Sequence, residues 1–325
     1  MATAGRAASI VVEGLTKRYG QNTAVDDVSF HVDTGEVFAL LGPNGAGKTS
    51  TIEMLEGFRS RDAGQVSVLG MDPSDKACQR TLRERLGVVL QDLAVEPFLT
   101  VEEVLARSAS YFPDPLDVGE VIRSIGLQDK TTARVKSLSG GQQRRLDLGL
   151  GIIGNPELLF LDEPTTGFDP SARRGAWEVV RNLVRQGTTV VLTTHYMDEA
   201  EALADRLAVI ADGRIVASGT PDSIGGRARS SATIRFRLPG GLGPADLPGG
   251  LPPAEMDRSG AIVLSADDEV GVVHRLTGWA IEAGITLEGL TVVRLTLEDI
   301  YLRLTGASAD GAEAIVPGST LPVAR

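Results

Sequence analysis

The chain has 325 residues, 42% hydrophobic and 23% charged, with a formal net charge of −11. That usage is ordinary for globular proteins and excludes a disordered chain. The acidity argues against a protein built to hold nucleic acid by counterion release, yet it leaves room for a local phosphate site. From the N-terminus, Val28, Phe30 and Val32 alternate with polar residues and predict a half-exposed antiparallel strand. Three short runs, Val37 to Leu41, Leu158 to Leu161 and Thr189 to Thr194, are apolar or β-branched throughout. Such runs predict strands buried on both faces of a parallel sheet. The stretch from about Asp72 to Lys136 shows little strand character and predicts an inserted helical subdomain. Within it Thr100 and Glu103 form a capping box; beyond it Ser139 with Gln142 forms another, opening a helix that carries Leu146, Leu150 and Ile153. The Asp-Gly pair inside Leu207 to Ser218 predicts a hairpin.

Residues 1–225 thus read as an α/β domain with an antiparallel β portion. Gly225 to Ser231 reads as a flexible linker, taken to span 226–232. A small α+β domain follows over 233–305. It has strands at Thr233 to Leu238, Ala261 to Leu264 and Ile285 to Leu295, and a short helix at Leu297 to Leu304. A helix face is expected at Val270, Val273, Leu276, Ala280 and Ile281. Residues 306–325 read as a mobile tail. The lone Cys78 excludes an intrachain disulfide and Cys-rich zinc sites. No apolar run approaches the roughly 18 residues that span a bilayer, and no signal-peptide core is present. A cytosolic protein is expected, one that acts at a membrane only through a partner.

Three motifs carry chemistry. Gly42-Pro43-Asn44-Gly45-Ala46-Gly47-Lys48-Thr49, followed by Ser50, matches the phosphate-binding loop G-x-x-x-x-G-K-[ST], set between a strand and a helix. Its backbone N–H groups can converge on a phosphate, Lys48 adds a charge, and Thr49 offers a hydroxyl to Mg²⁺. The strand Leu158 to Leu161 ends in Asp162 and Glu163. Asp162 suits Mg²⁺, which takes one or two carboxylates and keeps waters, and Glu163 can reach a water lined up on the γ-phosphate. Leu138-Ser139-Gly140-Gly141-Gln142 forms a second N–H nest at a helix N-terminus. One nucleotide does not need two such nests, so the second is expected to face ATP held by another copy of the chain.

With these motifs in order over residues 10–225, the chain resembles the ATP-binding subunits of ABC transporters. The resemblance implies further roles. Tyr19 in LTKRYG would stack on adenine. Gln91 in GVVLQD would touch Mg²⁺ and the attacking water, and the segment after it, Ala94 to Thr100, would meet the membrane subunit. Asp169 in TTGFDP would cross to the opposing subunit, with Phe168 where Leu is usual, and His195 in TTHYMDEA would contact the γ-phosphate. Leu295 to Gly306 resembles the ending of drug-resistance exporter ATPases of the daunorubicin type. The implied protein hydrolyses ATP with Mg²⁺ and forms a homodimer around two ATP. It lies peripherally on the cytoplasmic face of the membrane, where it drives export of a drug, antibiotic or lipid-like substrate through a separate permease. An importer subunit is the alternative. A DNA-repair ATPase would need a long coiled coil between Gln91 and Leu138, where only about 46 residues lie. A translation factor would usually carry two ATP domains and basic surfaces. No nucleic-acid partner is expected. No nucleotide motif lies beyond residue 225, so the C-terminal unit is expected to be dispensable for ATP chemistry.

Overall fold

The computed structural model describes residues 7–89, 95–229 and 231–305. Along the chain, β1 (Ala8–Tyr19) and β2 (Asn22–Asp33) form a long hairpin, then come β3 (Val37–Leu41), α1 (Lys48–Leu55) and β4 (Ala63–Val68). Next are α2 (Gln79–Arg85), β5 (Leu86–Val89), α3 (Val101–Ala109), α4 (Val118–Ser124) and α5 (Gly140–Ile152). β6 (Leu158–Asp162), α6 (Pro170–Arg185), β7 (Thr189–Thr194) and α7 (Met197–Leu203) alternate, followed by the hairpin β8 (Arg206–Ala211) and β9 (Arg214–Gly219). The C-terminal part holds β10 (Ala232–Arg237), β11 (Ala254–Met256), β12 (Ile262–Ala266), α8 (Glu269–Ala283), β13 (Glu288–Val293) and α9 (Leu297–Thr305).

The main sheet runs β5-β6-β7-β3-β8-β9, parallel except for β9. β3 and β7 are buried at every position, as their unbroken apolar and β-branched character requires. The β8–β9 turn uses Asp212 and Gly213, both at positive φ, as a two-residue hairpin of this kind demands. A second, antiparallel sheet, β2-β1-β4, lays Ile10, Val12, Leu15 and Val28 over one face of the main sheet. The other face is covered by a larger core that runs through α3, α4 and α5 and also takes in α9. The third sheet, β11-β12-β10-β13, packs Ile234, Phe236 and Leu264 against Leu276 of α8.

Several expectations need correction. The stretch 72–136 is not wholly helical, because β5 lies inside it as the edge strand of the main sheet. Four residues containing a glycine are too few to show periodicity. The described start of the linker is not loose. Gly225 and Gly226, at φ 58° and 80°, kink the chain between two short helical turns within Ile224–Arg229, and Arg227 donates to the Pro221 and Leu295 carbonyls. The glycines serve positive φ here rather than flexibility. On α8 the inward face is Val272, Leu276 and Ala280, whereas Val270 and Ile281 are exposed. β13 is shorter than Ile285 to Leu295, and β11 follows directly on the Gly/Pro-rich stretch Pro239 to Pro253. The 306–325 tail, Gln91 and Ala94 lie outside the described residues.

Candidate nucleotide site

The phosphate loop leaves the C-terminal end of β3 and is pressed between its neighbours. A Cβ on Gly42 would stand 2.4 Å from the Ile210 carbonyl oxygen, and one on Gly47 2.3 Å from that of Ala24. Gly47 also sits at φ 103°, so glycine is required there twice over. It caps α1 with no side-chain bond, which leaves the first-turn N–H groups open to an anion. Lys48 is buried, and its ammonium donates to the carbonyls of Gly42 (2.7 Å) and Pro43 (3.1 Å). Burial lowers its pKa, with Glu163 and Asp162 opposing that shift. Pro43, Asn44, Gly45 and Thr49 are exposed, whereas Ala46 is buried in the core under the β1–β2 sheet.

The two acids come from the end of β6. Asp162 is paired in register with Thr193 of β7, whose hydroxyl donates to the Asp162 carboxylate. Glu163 adopts φ 48°, a left-handed conformation rare outside glycine and asparagine. Its surroundings hold it there: its N–H donates to the carbonyl and hydroxyl of Thr193 (3.1 and 3.2 Å). The Arg144 guanidinium donates to the carbonyls of Asp162, Glu163 and Pro164. Strain kept by such over-determination is typical of functional positions. His195, just past β7, places Nδ1 3.2 Å from Glu163 Oε1.

These groups meet in one hollow of about 760 Å³. Its walls are Gly42 to Gly45, Gly47 to Ser50, Asp162, Glu163 and His195, with Tyr19, Asn22 and Ala24 of β1 and β2 and Tyr301 of α9. Tyr19 is 40% exposed, its hydroxyl is 3.1 Å from Ser50 Oγ, and Lys17 and Arg59 stand over its ring. An exposed ring at the rim of a phosphate site can stack on a base. Among the described residues no cluster of three or more His, Cys, Asp or Glu could hold a metal. A hydroxyl at Thr49 and one carboxylate at Asp162 in the same hollow nevertheless fit Mg²⁺ shared with phosphates.

The signature residues do not line this hollow. Leu138 is buried, and Ser139 caps α5 reciprocally with Gln142. Gly140 and Gly141 face open space. Asp169 caps α6 and lines a separate hollow with Arg145. Five contributors escape the sequence reading: Thr193, Arg144, Asn22, Ala24 and Tyr301. Thr193 alone had a visible signal, a polar residue inside an apolar strand.

Comparison with known proteins adds the family. Residues 25–166 match the ABC transporter family model, and residues 232–296 match a model for the C-terminal domain of ABC transporter domain-containing proteins. A Nod factor export ATP-binding protein I from Burkholderia thailandensis is 40% identical over 309 residues, covering 92% of this chain and 97% of that one. The chain belongs to the ABC transporter ATP-binding family. A second ABC relative, the daunorubicin resistance ATP-binding protein DrrA3 of Streptomyces coeruleorubidus, is 38% identical over 314 residues, covering 92% and 96% of the two chains. Among solved structures, an ATP-binding cassette of an ABC transporter in its ADP conformation superposes with a TM-score of 0.58 at 26% identity. It covers 66% of this chain and 91% of that one. As an ABC ATPase the chain hydrolyses ATP, and the hollow built on the phosphate loop is where its chemistry is to be sought.

Proposed function

We propose that the chain is the ATP-hydrolysing subunit of an exporter, that two copies close over two ATP, and that they drive a separate membrane permease. One observation carries this reading: the chain has a phosphate hollow and, away from it, a nest at Gly140 and Gly141 that opens on free space among the described residues, Ser139 and Gln142 being taken up in capping each other. A second copy turned face to face brings that nest to the first copy's γ-phosphate. The exporter direction is supported by relatives named for Nod factor export and daunorubicin resistance. The family resemblance puts the permease contact after Gln91. None of the helices among the described residues is long and apolar enough to cross a membrane, which is in keeping with a transport path in a separate membrane subunit.

In this mechanism the loop N–H groups and Lys48 bind the β- and γ-phosphates, and Tyr19 stacks on the base. Thr49 and Asp162, with Gln91, hold Mg²⁺, which when bound offsets charge on the phosphates. Glu163 orients and polarises a water, and His195, fixed against Glu163, holds the γ-phosphate. Catalysis is then positioning and electrostatics. Asp169 reaches towards the opposing copy. Loss of the γ-phosphate removes what the two copies share, and the dimer opens.

The test is efflux of an apolar drug from cells that express the chain with the membrane protein that co-purifies with it. Efflux should appear with the unaltered chain and vanish with Glu163→Gln. ATP-dependent uptake, or efflux indifferent to Glu163, would overturn the reading.

A further inference from the structure

The apolar face of α9 packs back on the ATPase core. Leu297 and Ile300 are buried with Leu203, Leu207 and Ile224. The entry to α9 is fixed at several points. Arg227 donates to the Leu295 carbonyl (2.9 Å) and pairs with Glu201 of α7 (2.7 Å). The Leu297 N–H donates to the same Glu201 carboxylate. Thr296 and Asp299 cap the helix reciprocally. One turn on, Tyr301 lines the hollow that holds Lys48, Glu163 and His195. Its ring rests on the larger core, and burial raises its hydroxyl pKa.

We propose that Tyr301 is a wall of the ATP site: its ring packs against bound ATP. This rests on reading the hollow as an ATP site. The place of Tyr301 follows from the packing: α9 lies against α7 and β8, and α7 begins two residues after His195. ATP binding then depends on a residue supplied from beyond the C-terminal sheet, and that unit is not dispensable for ATP chemistry.

The test is calorimetric binding of Mg²⁺-ATP to the full-length chain and its variants. Tyr301→Ala should weaken binding about three- to tenfold, the range for one aromatic contact. Tyr301→Phe keeps the ring and should stay within about twofold of the unaltered chain. Leu304→Ala is the control for a loosened helix, because Leu304 lies beside Gly225 and does not line the hollow. It should lower the melting temperature and leave affinity within about twofold. Unchanged affinity in Tyr301→Ala, or equal losses in Tyr301→Ala and Leu304→Ala, would overturn the proposal, as would an equal loss in Tyr301→Phe. Lys48→Ala separates the two readings. If it too binds ATP normally, the ATP-site reading fails; if it alone loses ATP, only the role of Tyr301 fails.

Discussion

Lys48 is the single full positive charge of the phosphate loop, and it is held ready by two carbonyls that a phosphate would replace. Lys48→Ala removes charge-assisted bonds worth about 1.5–3 kcal/mol. ATP affinity should fall about ten- to a hundredfold, and undiminished ATPase turnover would refute the assignment. Glu163→Gln keeps the shape and its place at φ 48° but removes the base. Turnover should drop about 10²–10⁴-fold while ATP still binds. Glu56, at the C-terminal end of α1, gives a pH effect instead. Burial pushes its carboxyl up to about 8, with Asp162 and Glu53 adding to the shift. The folded chain therefore keeps a proton that the unfolded chain releases above roughly pH 4.5. Stability from this group is full below that pH and is lost as pH rises towards 8. Glu56→Gln removes the dependence. It should raise the melting temperature by about 2–5 °C at pH 7.5 and by less than about 1 °C at pH 4. Equal gains at both pH values would contradict this account.

At the scale of elements, the phosphate loop, the acids after β6 and the capped start of α5 were legible in the sequence, because each is a local pattern in which neighbours in sequence are neighbours in space. Both capping boxes form as their spacing dictates. α9 was legible as an amphipathic helix, but its destination was not. A stripe of Leu297, Ile300 and Leu304 states that something is covered, not what covers it. The same limit hid Arg144, which is bound through carbonyls that carry no sequence signal, and it hid β5. The packing of α9 has an energetic consequence. Ile300→Ala should cost about 2–4 kcal/mol, read as a lower denaturant midpoint for the whole ATPase unit. A midpoint shift confined to the C-terminal sheet, with the ATPase core unaffected, would contradict the observed packing.

On the scale of the whole molecule, one chain presents a phosphate hollow and a separate N–H nest, and neither completes the other within the fold. The net charge of −11 sets a modest repulsion against bringing two copies together. ATP shared between the half-sites is what overcomes it in this account, and hydrolysis releases the pair. The direct measurement is the mass in solution, by light scattering, of the Glu163→Gln chain with and without Mg²⁺-ATP. We expect a single chain without nucleotide and twice that mass with ATP, reverting when Gly141→Asp places a carboxylate in the nest. A Glu163→Gln chain that binds ATP and remains monomeric would contradict the shared-site mechanism.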